Sequence, residues 1–206
     1  MFEMTLFSPL GVGDKIVPGE YRGQISMGSG SGGRVRRSFE VVDGGQPPSS
    51  DSMRTLRRWH TTSVTVVTTT DSGFRGVTVS AFSIVSLEPG RVLVCLDRQG
   101  DALDAVLKAS RFAVSVLSDR QEFLADRFAG RAPLVDPQFS GIRYRLTGRG
   151  NPVLEECLVW FDCEVAAHEE WGDHVVVFGE VVEAGNGTGT EPLLYFDAAY
   201  RSLGLD

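Results

Sequence analysis

Four small hydroxyls punctuate one apolar run. Residues 76–89 read Gly-Val-Thr-Val-Ser-Ala-Phe-Ser-Ile-Val-Ser-Leu-Glu-Pro, with Thr78, Ser80, Ser83 and Ser86 as the polar positions. A strand with one solvated face more often carries Lys, Glu or Arg there. Short hydroxyls with backbone amides close beside them suit a phosphate or a polyol chain. The plainer alternative is an exposed strand that tolerates Ser and Thr. Two more residues are candidates for the same chemistry. Arg98 comes just after a strand end and is either a phosphate partner or a solvated loop arginine. His174 opens an apolar strand after a Gly-Asp turn and is either a donor to a bound cofactor or a histidine satisfied by a neighbour.

Other chemistry is thinly supported. The chain has no G-x-S-x-G elbow, no H-E-x-x-H and no G-x-x-x-x-G-K-[ST]. His60, His168 and His174 fall on different elements, and Glu155-Glu156 and Glu169-Glu170 read as solvated charges. Cys95, Cys157 and Cys163 form no C-x-x-C pair and are expected to be reduced core residues on strands. Gly28-Ser-Gly30-Ser-Gly-Gly33 matches G-x-G-x-x-G by letter, but the next residues, Arg34 to Val42, are strand-like where the dinucleotide fingerprint needs a helix. The run reads as a linker.

The 206 residues carry a net charge of −7, which argues against sequence-independent nucleic-acid binding. Local anion binding is still open to a chain whose 20 basic side chains include only two lysines, Lys15 and Lys108. No apolar run reaches the ~18 residues of a membrane span. The start lacks the basic and apolar regions of a signal peptide, so the cytoplasm is the expected compartment.

The elements that must position these residues begin late. Ten of the 24 glycines fall in residues 1–53, around one possible short strand at Ser38–Val42, and this part reads as an extension or arm. Met27 and Met53 are each possible internal starts. From residue 54 the periodicity is that of a folded domain. A short basic helix is expected over Met53–His60, capped by Asp51 or Ser52. Strands are expected at Ser63–Thr70, at 76–89, at Arg91–Leu96 and at Phe112–Leu117. Helices are expected at Asp101–Ala109 and, from a Ser118/Gln121 capping box, to Ala129 with Phe123, Leu124 and Phe128 buried. Later strands are expected at Ile142–Leu146, Leu158–Val165, His174–Val182 and Leu193–Phe196. Many strands with a few short helices predict a mainly β barrel; consecutive strands between Ser63 and Leu96 leave no room for a parallel crossover.

In that order the motifs resemble the flavin-reductase-like domain family over roughly residues 54–206. Thr62–Thr69, then 76–89, then Val94-Cys-Leu-Asp-Arg98 look like its opening. Phe112–Ser118 and Leu124–Ala129 are similar to its middle. Gly172-Asp-His174, Phe178-Gly-Glu-Val181, Pro192–Phe196 and Tyr200-Arg201 are similar to its end. The resemblance implies a Greek-key split β-barrel, a homodimer, and reduction of FMN or FAD by NADH or NADPH for a separate monooxygenase or halogenase. It implies that Thr78, Val79, Ser80, Ala81, Ser83 and Ser86 meet the ribityl chain and phosphate, with Asp97 and Arg98 beside them. It further implies that the Ala113, Val114 and Ser115 backbone lies by the flavin ring, that His174 positions nicotinamide, and that Tyr200 and Arg201 lie nearby. The chain departs from the pattern at Ile84 and Ser115, at Glu88-Pro89-Gly90, and at His60 and Ser63. Ile84 is the departure expected to bear on the choice of flavin. The alternative function is a flavin carrier or sensor without catalysis, with the extension as a docking arm.

Overall fold

Strand β2 (Thr65–Thr70) shows why this sequence needs two cores. Its residues 65–69 are all buried, and the adjacent valines Val66 and Val67 face opposite ways. Val67 joins a cluster with Val94, Phe112, Val114, Cys163 and Val177, whereas Val66 joins another with Leu117, Leu124, Phe128 and Leu154. Its threonines donate to backbone carbonyls, Thr65 to Val79 at 2.7 Å and Thr69 to Arg111 at 2.7 Å. A buried hydroxyl is thereby satisfied without leaving the strand. The computed structural model describes residues 42–132 and 138–203. The glycine-rich run and Ser38–Val41 lie outside them, and Val42 itself begins a short 3-10 turn.

Seven strands form the main sheet: β2, β3 (Phe74–Val79), β4 (Phe82–Leu87), β5 (Gly90–Asp97), β6 (Arg111–Val116), β9 (Val159–Trp171) and β10 (His174–Asn186), in the spatial order β3-β2-β6-β9-β10-β5-β4. The strands at the two edges, β3 and β4, are consecutive in sequence and separated only by Ser80 and Ala81. A flat sheet cannot satisfy that. The sheet must curl until its edges nearly meet, and both edges do reach one core: Val77 and Val79 of β3 and Phe82 of β4 pack on the same cluster. One long strand that leaves one edge and joins the other is the opening of a split barrel. The single strand expected over 76–89 is therefore two, broken at Ser80-Ala81.

Short strands β7 (Tyr144–Leu146) and β8 (Pro152–Leu154) pair with each other, and β1 (Thr62–Ser63), β11 (Leu194–Phe196) and β12 (Ala199–Arg201) make a third sheet. Helix α1 (Ser50–Arg57) starts earlier than expected; its N-cap is Ser49, whose Oγ accepts from the Ser52 amide at 3.1 Å, not Asp51 or Ser52. Helix α2 (Asp101–Ala109) buries Leu103 and Val106. The Ser118/Gln121 capping box forms as expected and leads into α3 (Glu122–Phe128). Phe123 is a correction: Leu124, Ala125 and Phe128 already make the i, i+1, i+4 inner face, which leaves Phe123 exposed.

Edge strand β3 is covered rather than left open. The Gln138 side chain accepts from Gly76 N at 3.0 Å and donates to Gly76 O at 2.9 Å, standing in for a neighbouring strand. Gly76 itself lets the Phe128 ring cross the strand, because a Cβ there would lie 2.6 Å from the ring. The three cysteines are free; Cys95 and Cys163 are on strands, while Cys157 lies in a loop. No described helix is long and apolar enough to cross a membrane.

Candidate active site

At the strand break the curled sheet leaves a cleft of about 330 Å³. Thr78, Val79, Ser80 and Ala81 form one side, and Leu96, Asp97 and His174 the other. The ladder explains why the last two meet, since His174 of β10 pairs directly with Asp97 of β5. Arg57 and His60, from the end of α1 and the turn after it, close the third side. A two-residue turn, Gly172-Asp173, joins β9 to β10, with Gly172 at φ +63°. It brings Asp173 Oδ1 to 2.8 Å from His174 Nδ1, leaving Nε2 as the ring's remaining hydrogen-bonding atom. That bond to His174 holds the Asp173 carboxyl below its ordinary range.

The hydroxyls differ in their commitments. Thr78 donates to Ala125 O at 2.7 Å, so its hydrogen is already used. Ser80 is exposed and has no side-chain partner among the described residues. A second cleft of about 230 Å³ adjoins, sharing Arg57, Thr78, Ser80 and Tyr195 with the first. Tyr200 and Arg131 line its outer side. Tyr200 donates to Asp126 at 2.9 Å and accepts from Arg131 at 2.7 Å. Burial, with help from Asp126 and against Arg131, pushes the Tyr200 phenol up to about 12.

This combination of one uncommitted hydroxyl, a guanidinium, an imidazole tied at one nitrogen and apolar strand residues suits a planar ring carrying a phosphorylated polyol. The flavin reductase like domain matches residues 56–204, nearly the whole described barrel. The chain belongs to this family. The FMN reductase (NADH) RutF of Bradyrhizobium diazoefficiens is 36% identical over 143 residues, which are 69% of this chain and 79% of that protein. HsaB of Mycobacterium tuberculosis, the reductase subunit of a flavin-dependent monooxygenase, is 34% identical over 145 residues, covering 69% of this chain and 76% of its own. Among solved structures, the NADH:FAD oxidoreductase SgcE6 of Streptomyces globisporus, in complex with NAD and FAD fragments, superposes with a TM-score of 0.73 at 31% identity. The superposition covers 82% of this chain and 99% of that one. BorF, the flavin reductase component of a bacterial tryptophan halogenase, gives 0.70 at 30% identity over 75% and 98% of the two chains.

Within this flavin-reductase-like barrel the expected site residues divide into two sets. Thr78, Val79, Ser80, Ala81, Asp97, His174 and Tyr200 line the paired clefts. Ser83, Ser86, Arg98 and Arg201 do not line either; Arg98 instead sits 3.8 Å from Glu170. Ala113, Val114 and Ser115 are fully buried on β6, between β2 and β9, with the Ser115 hydroxyl accepting from Leu154 N at 3.1 Å. Ile84 is half exposed on β4, outside both clefts. Arg57 and Tyr195 border both clefts and were not among the expected site residues. The basic helix expected at 53–60 and the aromatic strand expected at Leu193–Phe196 were the available signals.

The raised phenol of Tyr200 has a checkable consequence. A tyrosine whose folded pKa exceeds its unfolded value stabilises fully below about pH 10, and the contribution is lost as pH rises toward 12. Tyr200→Phe is therefore expected to flatten the fall in Tm over that window, relative to wild type, in a pH series of thermal melts.

Proposed function

We propose that this protein is an NAD(P)H:flavin oxidoreductase that reduces FMN or FAD and hands the reduced flavin to a separate monooxygenase or halogenase. The observation that carries this is the cleft at the Ser80-Ala81 break, where the free Ser80 hydroxyl, the Arg57 guanidinium and the Asp173-held His174 imidazole converge on apolar strand residues. The same features fit a flavin: Ser80 and Thr78 would hold the polyol and phosphate, with Val77, Val79 and Leu96 against the ring. When bound, the flavin supplies the acceptor for a hydride taken from reduced nicotinamide.

The chain's own contribution is positional. Bringing two flat rings into near-attack contact supplies much of the rate, and no side-chain acid or base is needed for hydride movement itself. His174, with Nδ1 fixed by Asp173, orients the nicotinamide end through Nε2 and so acts as a binding group. A homodimer is part of the proposal. The edge strand β4 exposes Ile84, Val85 and Leu87, the last at 89%, a row of apolar side chains that a second copy would cover. The cytoplasm, which holds the reduced nicotinamide pool, is the proposed compartment.

Full-length protein mixed with FMN or FAD and with NADH or NADPH is expected to bleach the nicotinamide absorbance with at least one pairing. No turnover in any of the four combinations, with flavin still bound, would turn the assignment to a carrier. Adding a candidate oxygenase tests the hand-over separately.

A further inference from the structure

A third cleft, of about 250 Å³, shares no lining residue with either of the two at the strand break. Gly189 is what builds it. A Cβ there would lie 2.6 Å from Cβ of Ser118 and 2.7 Å from the Glu156 carbonyl oxygen, so glycine lets this segment settle onto both. The segment is tied in by Thr188 N to Glu155 O at 3.2 Å and Gly189 N to Cys157 O at 3.0 Å. The 3-10 turn Asp119–Gln121 supplies another rim, anchored by Asp119 N to Glu191 O at 2.9 Å.

The polar groups of this cleft differ in how far they are already used. Arg143 is paired with Glu155 and Glu156, and the Thr188 hydroxyl donates to Glu155 O at 3.3 Å. Arg120 and Asp119 have no side-chain partner among the described residues. A third free group is hidden. Ser118 is 1% exposed, and its hydroxyl hydrogen meets no acceptor among the described residues. A buried hydroxyl left that way costs stability until something supplies the acceptor.

Charge decides the class of ligand. The lining holds two guanidinium groups, Arg120 and Arg143, and two carboxylates, Asp119 and Glu156. A phosphate or a dicarboxylate would meet as much repulsion as attraction there. A molecule with no net charge and its two charges apart is attracted at both ends. Its anionic end takes the donors of Arg120 and Ser118, and its cationic end takes Asp119. The volume is at the small end of ligand sites, which suits a small metabolite.

We propose that this cleft binds a free α-amino acid, its carboxylate on Arg120 and the Ser118 hydroxyl and its ammonium on Asp119. The site stands apart from the reductase reading, because none of its residues lines the flavin clefts. It gives the barrel a second small-molecule site, where Ser118 bridges to Pro192.

The test begins with thermal melts of the full-length chain in the presence of each standard L-amino acid. At least one is expected to raise Tm by about a few degrees at saturating concentration. Calorimetry with that amino acid is expected to show a Kd about tenfold weaker in Arg120→Ala and in Asp119→Asn, with Arg120→Lys between Arg120→Ala and wild type. The matching amine without the carboxyl group, and the matching acid without the amino group, are each expected to bind wild type about tenfold more weakly. FMN affinity and the ligand-free Tm are expected to stay at wild-type values in all three variants. A flat response to every amino acid would overturn the site. Binding that Arg120→Ala and Asp119→Asn both keep would overturn it by moving the ligand elsewhere. An amine or acid that binds as well as its amino acid would overturn the two-ended grip, and this comparison needs only the wild-type chain. Loss of amino-acid binding matched by an equal loss of FMN affinity or a lowered ligand-free Tm would overturn it too, by tracing the loss to the fold or to the flavin clefts.

Discussion

Gly179→Ala is expected to destabilise the barrel by about 3 kcal/mol, and much of that loss is expected to vanish when Phe112 is first changed to Leu. Gly179 is buried on β10 at a bulge, where the pairing with β9 skips a residue between Phe178/Ala167 and Gly179/Val165. A Cβ there would lie 2.6 Å from Cζ of Phe112 and 2.8 Å from Cβ of Cys163. Neither neighbour can swing away, because Phe112 and Cys163 are both fully buried in the barrel core. Leucine lacks the ring atoms that make the closest approach, so it relieves that contact while leaving the Cys163 contact in place. Denaturant melts of the two single variants and the double variant give the coupling directly. Strict additivity would show that the ring does not set the limit, and would leave the 2.8 Å approach to Cβ of Cys163 as the contact that does.

The same crowding at β10 marks where sequence patterning ran out. Periodicity located most strands because inward residues such as Val92, Val94 and Leu96 alternate with half-exposed or exposed ones. It cut β9 and β10 short. Beyond Val165, residues 166–171 are exposed on both faces, so there is no alternation to detect; they are ordered as a hairpin by pairing with β10. Strand β8, three buried residues begun by a proline, carries too little pattern to find. The site was legible in the same proportion. Thr78, Ser80 and Ala81 stand out locally as small polar or compact residues, and the chain itself bends there. The fully buried place of Ala113–Ser115 depends on β6 lying mid-sheet, which is a property of topology and not of those residues. Arg57 differs from Arg54 and Arg58 in having no carboxylate partner among the described residues, and that is decided by the distant Asp197 as much as by the near Asp51.

Ala81→Trp is expected to abolish flavin binding in practice, raising Kd by about a hundredfold or more, roughly 3 kcal/mol, while leaving the fold intact. Ala81 is exposed and lines the strand-break cleft, so an indole there fills space the ligand needs without entering either core. Surface changes of this kind usually move stability by no more than about 0.5 kcal/mol. Its backbone role survives, since the bond from Cys95 N to Ala81 O at 3.0 Å that links the break to β5 does not involve the side chain. Ser80→Ala, one residue away, is the graded companion: it removes a single hydroxyl and is expected to weaken flavin by about tenfold, the worth of one hydrogen bond to a charged group at an exposed site. Equilibrium titration with FMN and FAD, alongside thermal melts, reads both variants. Flavin affinity near wild type in Ala81→Trp, with Tm unchanged, would move the flavin away from the break in the long strand. A lowered Tm would instead show that Ala81 lies closer to a packed neighbour than its exposure indicates. If affinity falls with Tm preserved, the two-residue gap that lets one strand serve both edges of the sheet is also where the ligand sits, and barrel closure and binding share a single cause.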